Sequence, residues 1–316
     1  MNNKIPKLRL PPLPTIKYLL KMYKLRAQKA LSQNFLLNEQ LADKMIKRAG
    51  NLTDCHVLEV GPGPGGLTRS ILKQHPKKLT VVEKDNRFEP TLVMLADAFT
   101  TVNGEMEIIF DDIMKVNMSN IFLASEAKPC EKRGPWEFGR TRMTLTFQKE
   151  IGERLIAEPM DPQRCRLSVM AQAWTHPVIH FIIPGTAFIP KPKVDVALVS
   201  FVPLATPRTQ HEFKIFEKVT RHIFSFRQKY SIRGVETLFP LEDRVELGQM
   251  MYKLSDLKPT TRPMQLSVED IDKLVSAYKY LIEKHPHIET YEYRTSRRIL
   301  SLSRTKHVEL VECTEL

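Results

Sequence analysis

From Val57 the chain alternates between short apolar runs and stretches of helical spacing. The run VLEV (57–60) is followed by a Gly/Pro turn, then by the helical stretch LTRSILKQ, then by a second apolar run, LTVVEKD (79–85). Strand, crossover helix and strand predict a parallel sheet. MEIIFDD (106–112) predicts a third strand. Further strands are predicted at MTLTF (143–147), LSVMAQAW (167–174), VIHFIIP (178–184) and VALVSFVPL (196–204), and their closeness implies antiparallel pairing at one edge. After ATPRTQ the spacing becomes helical over residues 211–284. Phe213, Phe216, Val219, Ile223 and Phe226 lie on one side there, with breaks near Pro240 and Pro259, which predicts a small helical domain. Near the start, TIKYLLKMYKLRAQKAL places apolar residues along one side of a candidate helix capped by Thr15. Four regions result: a basic segment over 1–30, an α/β domain over 31–205, the helical domain over 206–284 and a polar, flexible tail over 285–316.

Composition adds a partner class. Of 316 residues, 48 are Lys or Arg and 36 are Asp or Glu, a formal charge of +12. Such an excess favours a polyanion, because neutralising phosphates releases condensed counterions. Arg221, Arg227, Lys229 and Arg233 are candidate phosphate contacts in the helical domain, though an ordinary solvated helix face would carry the same residues. The first 38 residues hold eight Lys and Arg and no acid, which suits either a mitochondrial targeting segment or a folded basic helix touching RNA. No run of 18 apolar residues occurs, so no membrane span is expected. Cys55, Cys130, Cys165 and Cys313 are scattered without metal or disulfide spacing, which fits a reducing compartment and no metal site.

The turn LEVGPGPGG (58–66) carries the first chemistry. Its GPGPGG formally fits a dinucleotide fingerprint. A pyrophosphate site presents backbone N–H groups, however, and Pro62 and Pro64 have none to present. The same residues read Glu59-x-Gly61-x-Gly63-x-Gly65, an acid followed by three glycines, as in the first strand and turn of S-adenosylmethionine-dependent methyltransferases. That ligand has no phosphate and requires close backbone approach. Glu83 ends the second strand, where it could accept from both ribose hydroxyls, and Asp112 or Asp111 ends the third, where it could accept from an adenine amino group.

LSQNFL (31–36), TLTFQKEIGERLIA, RLSVMAQ and AFIPKPKVDVALVSF resemble landmarks of the ribosomal RNA adenine N6,N6-dimethyltransferases, and the resemblance runs from about Leu10 to Ser267. RLPPLPTI (9–16) and GRTRMTLTFQKE (139–150) resemble its mitochondrial branch, which is also grouped with the mitochondrial B-type transcription factors. The resemblance implies a class I, Rossmann-like α/β methyltransferase fold in the mitochondrion, with S-adenosyl-L-methionine as cofactor. It also implies dimethylation of two adjacent adenines in a small-subunit rRNA stem-loop. Carried over, Asn34 and Leu36 would line the methionine end and Gly61, with Gly63, the backbone side of the cofactor. Glu83 would hold the ribose with Lys84 beside it, Asp112 and Ile113 would frame the adenine, and Phe188 is a candidate stacking face for the target base.

One departure stands against full catalysis. The family's Asn-Leu-Pro-Phe/Tyr segment, which follows the fourth strand and positions the target amine, has no counterpart: no Asn-x-Pro-aromatic occurs between Asp112 and Met143. The fourth strand is expected to be missing with it, leaving the first and fifth strands either unpaired or paired directly. The catalytic residues are therefore unassigned. A non-catalytic nucleic-acid-binding protein of the same lineage, associated with mitochondrial transcription, is the competing function.

Overall fold

The computed structural model describes residues 13–31, 33–121 and 141–293. The chain divides into two compact units, one formed by Met1–Gly152 with Val178–Pro203, the other by Glu153–Pro177 with Leu204–Leu316. Residues 153–177 thus lie in the same unit as the chain from Leu204 onward. The proposed tail falls mostly on residues 294–316, outside the described residues.

In the first unit, α1 (Ile16–Met22) starts at Thr15, whose hydroxyl accepts from the Tyr18 amide at 3.2 Å. A two-residue strand β1 (Phe35–Leu36) precedes α2 (Glu39–Ala49), which Asn38 caps. The parallel core follows: β2 (His56–Val60), α3 (Gly66–Leu72), β3 (Lys78–Glu83), α4 (Glu89–Thr100) and β4 (Glu105–Phe110), in the order β2-β3-β4. Val81 of β3 sits level with Glu59 on one side and Ile108 on the other. As the central strand, β3 is buried from Leu79 onward, which is why it reads as a nearly unbroken apolar run. Leu92, Leu95 and Phe99 of α4 pack into the same core.

After the short α5 (Met118–Ile121) come β5 (Met143–Gln148), α6 (Lys149–Ile156), α7 (Arg166–Trp174), β6 (Thr175–Ile183), β7 (Phe188–Ile189) and β8 (Val196–Pro203). The sheet order is β5-β8-β6, with β5 and β8 antiparallel. β7 pairs antiparallel with β1, setting Leu36 opposite Phe188. LSVMAQAW is α7, a helix rather than a strand. Its buried residues Ser168, Val169, Gln172 and Ala173 recur at helical spacing, and the Ser168 hydroxyl accepts from the Cys165 amide at 3.0 Å at the first turn. A short apolar run cannot distinguish the two elements by periodicity.

Among the described residues no strand joins the two three-stranded sheets: β2 and β5 each lack a neighbour on one side. Among the described residues they do not pair with each other, and each presents one edge without a strand neighbour. At those edges Val60 is 52% and Leu145 43% exposed. Exposed edge residues of this kind leave their backbone groups open to water, which avoids the ~1–3 kcal/mol cost of a buried unpaired group.

The second unit is helical: α8 (Phe213–Ile223), α9 (Ile232–Val235), α10 (Arg244–Ser255) and α11 (Val268–Lys284). Its core joins Phe216, Val219, Phe239, Met251, Leu274 and Tyr278, and Val169 and Ala173 of α7 belong to it. Arg164, fully buried, donates to the Ala157 and Leu266 carbonyls and to Gln172, which anchors α7 there.

The turn after β2 separates two effects of a glycine. Gly61 (φ +71°) and Gly65 (φ +86°) are both left-handed, but a Cβ at Gly61 would meet open space and one at Gly65 would lie 2.4 Å from the buried Leu95 Cδ1. Gly61→Ala is expected to cost about 1 kcal/mol. Gly65→Ala should cost about 1 to 3 kcal/mol more, and urea unfolding of the two variants would measure the difference.

Candidate cofactor site

The parallel ladder does not end with β2. The Gly61 amide donates to the Val82 carbonyl at 2.9 Å, carrying the pairing one residue into the turn. The next amide that points inward, Gly63 N–H, donates to Glu83 Oε2 at 2.9 Å, while Asp85 N–H donates to Oε1 at 2.9 Å. The alternation of Gly and Pro is thereby explained. Glycines occupy the left-handed positions and supply the amides in use, and the prolines lie where no donor is called for.

The acid after Glu83 fixes the LSQNFL segment. Gln33 Nε2 donates to Asp85 Oδ2 at 2.8 Å, and Arg87 Nε donates to Oδ1 at 2.8 Å. Arg87 first, with Gln33 assisting, holds the Asp85 carboxyl down at about 2 against its burial.

Around these residues lies a cleft of about 420 Å³. Asn34 and Leu36 border it from the β1 side, Gly61 and Gly63 from the turn, and Glu83 and Lys84 from the end of β3. Asp112 and Ile113 border it after β4, and Phe188 borders it from β7. The structure thus gathers into one cleft every cofactor and stacking residue singled out from the sequence pattern and the resemblance. Lys84 Nζ lies 2.8 Å from Asp112 Oδ2, tying the ends of β3 and β4. Lys84 lowers the Asp112 carboxyl from its ordinary value, with the Met114 amide helping. Exposed pairs of this kind contribute about 0–1 kcal/mol and reorganise readily around a ligand.

The charge of the cleft opposes that of the chain. Its lining carries four carboxylates, Glu59, Glu83, Asp111 and Asp112, against the single ammonium of Lys84. A pyrophosphate would be repelled here. A ligand with cationic centres and neutral hydroxyls fits.

Glu59, part of the motif but without a role assigned from sequence, is the most unusual of these acids. It is 7% exposed, and its Oε2 has no hydrogen-bond partner. Burial pushes its carboxyl up to about 7, against a lowering effect of Thr68 and with a raising effect of Glu83. The only hint in the sequence is its place between apolar residues of a strand, and burial depth is not readable there. Among the described residues no cluster of three or more His, Cys, Asp or Glu could hold a metal, and no helix is long and apolar enough to cross a membrane.

The chain matches the family model of ribosomal RNA adenine dimethylases over residues 24–132 and 136–278. The chain belongs to the ribosomal RNA adenine dimethylase family. The mitochondrial dimethyladenosine transferase 1 of Drosophila pseudoobscura pseudoobscura is 46% identical over 91% of this chain and 92% of its own length. The Homo sapiens protein of that name is 42% identical over 93% and 92%. Among solved structures, a Plasmodium falciparum dimethyladenosine transferase superposes with a TM-score of 0.58 at 20% identity, covering 77% of this chain and 96% of that one. The 23S rRNA methyltransferase ErmE superposes at 0.52 with 17% identity, over 78% of this chain and all of that one. These likenesses establish the class I methyltransferase fold. The transcription-associated alternative is not favoured, since the relatives are named for the transferase.

The comparisons also bear on the dimethylase departure. The alignment with the human relative runs over 323 positions, more than the 316 residues of the chain, yet covers 93% of it. About 29 positions of that relative therefore face no residue here. The family match itself breaks at 133–135, inside the interval between Asp112 and Met143.

Glu59 generates a pH prediction for the unliganded dimethylase. Its folded value of about 7 lies above the ordinary 4.5, so ionising it costs stability as pH rises from 4.5, and the cost levels off above 7. Glu59→Gln should be indistinguishable from wild type near pH 4 and more stable by on the order of 3 kcal/mol at pH 8. Denaturant unfolding at the two pH values tests this, and a pH-independent difference would contradict it.

Proposed function

We propose that the cleft binds S-adenosyl-L-methionine and that the chain is a mitochondrial rRNA adenine N6-dimethyltransferase, acting on adjacent adenines of a small-subunit stem-loop. The observation that carries the reading is the acid-lined glycine turn in a chain of this family. The cofactor, when bound, supplies an activated methyl group on a sulfonium.

The residues present suit that group. Glu83 spends only one lone pair of each oxygen on the Gly63 and Asp85 amides, so it retains acceptor capacity for two ribose hydroxyls. Asp112, with Ile113, frames the adenine and can accept from its amino group once Lys84 swings aside. Asn34 and Leu36 lie where the methionine portion would run, and the open space at Gly61 admits it. The unpartnered Glu59 oxygen can face a cationic ligand, whose charge would favour ionising this raised carboxyl. Phe188, half-buried beside the cleft, offers a ring on which a flipped adenine can stack. Leaving the helical stack costs the adenine a few kcal/mol, which stacking and edge hydrogen bonds return.

What the chain lacks is the means to hold the target amine. The Asn side chain and carbonyl that accept from it in the family have no sequence counterpart. Misplacing a reacting group by about 1 Å costs on the order of 100-fold in rate. The proposal is therefore a cofactor-competent chain with low turnover. Incubation with methyl-labelled S-adenosylmethionine and a small-subunit rRNA stem-loop is expected to yield dimethyladenosine at least about 100-fold more slowly than the Drosophila relative. Equal rates would place the acceptor-positioning groups elsewhere in this chain.

A further inference from the structure

Three of the four cations singled out in the helical unit have partners there, in contacts that a phosphate must displace. Arg221 lies 3.5 Å from Glu217, Arg233 lies 3.4 Å from Glu236, and Arg227 donates to the Pro162 carbonyl. The first unit offers a different surface.

Residues 14–28 form an arm bound into that unit along its length. Ile16 and Leu19 are buried at 3% and 0% exposure, and Leu13, Leu20, Leu25 and Ala27 pack against the core that contains Phe88 and Leu95. Three polar ties fix its backbone. The buried Arg69 donates to the Pro14 carbonyl, Arg87 donates to the Arg26 carbonyl at 3.2 Å, and the Gln28 amide donates to Gln33 Oε1 at 2.9 Å. These ties hold residues 14–28 to the folded unit. Removing it would strip Arg69, whose Nε and Nη2 already lack partners, of the acceptor at Pro14.

The outward side of the arm has one chemistry. Lys17, Lys21, Lys24 and Arg26 are exposed, and none enters an ion pair among the described residues. Lys17 and Lys21 stand one helical turn apart on α1. Tyr18 (57% exposed) follows Lys17, and Tyr23 (39%) stands between Lys21 and Lys24. No acid occurs before Glu39. Four such cations interleaved with exposed aromatic rings suit an RNA backbone with unstacked bases, since the cations take phosphates and the rings take base faces. The arm also leads into the cleft: Gln33, which binds its far end, lines the cleft together with Leu31.

We propose that the outer face of residues 17–26 is the RNA-backbone grip of the first unit, holding the substrate strand that approaches the cofactor cleft. This inference rests on the rRNA-substrate reading above. Its physical content is a grip made by charge rather than by shape, so it should be visible in the salt dependence of binding. Each phosphate that goes unneutralised lowers the slope of log K against log salt by about 0.7–0.9.

The test uses the full chain and a fluorescently labelled RNA hairpin whose loop carries two adjacent adenines, with anisotropy read over a range of salt. The variant Lys17→Ala, Lys21→Ala, Lys24→Ala is expected to bind about tenfold or more weakly at low salt, with a slope reduced by about 2 to 3. The corresponding Lys→Arg variant should retain both values. Unchanged S-adenosylmethionine binding and thermal unfolding in the alanine variant would exclude a folding defect. Wild-type binding with an alanine variant of equal affinity and slope would overturn the arm proposal alone. A wild-type chain that binds S-adenosylmethionine but no RNA would overturn the substrate reading and the arm together.

Discussion

The carboxylate of Glu83 is the constraint on which the cofactor side of the molecule depends. It accepts from Gly63 in the turn after β2 and from Asp85 just past its own strand, so one side chain closes the turn against the end of the central strand. Hydrogen bonds to a buried charged acceptor are worth about 1.5–3 kcal/mol each. From Asp85 the network passes to Gln33 and Arg87, which hold the LSQNFL segment and, through the Arg26 carbonyl, the N-terminal arm. Cofactor turn, cleft wall and arm are thus three parts of one polar network anchored at β3.

Much of this was readable from residue order. The parallel strands followed from apolar runs alternating with helical spacing, and Thr15 was legible as a cap because its type and the apolar positions behind it agree. The cleft residues were legible through motif and resemblance together, since glycines, Glu83 and Asp112 stand at successive strand ends. The α7 segment was not. LSVMAQAW mixes apolar and small residues over eight positions, and its helix is fixed by a local cap, the Cys165 amide on Ser168, together with longer-range bonds from Ser168 to the Arg154 carbonyl and from the buried Arg164 to the Leu266 carbonyl. β1 and β7 are two residues each, too short to leave a periodic signal, yet they set Leu36 opposite Phe188. The burial of Glu59, and with it a raised carboxyl, depends on what covers the strand, and no local pattern records that.

The split sheet gives the absence of the Asn-Leu-Pro-aromatic segment its structural meaning. β2, β3 and β4 keep their register and deliver the cofactor turn and both strand-end acids intact. β5 and β8 keep theirs as well, bringing Thr146 to the cleft. The interruption falls between the two sheets, where among the described residues β2 and β5 each present one edge without a strand neighbour. The proposed donor site and the Asn-Leu-Pro-aromatic segment belong to different parts of the chain, so under this reading one can persist without the other.

The most direct test of the central claim is calorimetric titration of S-adenosylmethionine into the wild-type chain and Glu83→Ala. Wild type should bind, and the variant should lose at least about tenfold in affinity, equivalent to about 1.4 kcal/mol, because both the ribose acceptor and the closure of the turn go with it. Equal affinity in the two proteins would contradict the account and remove Glu83 from the centre of the site.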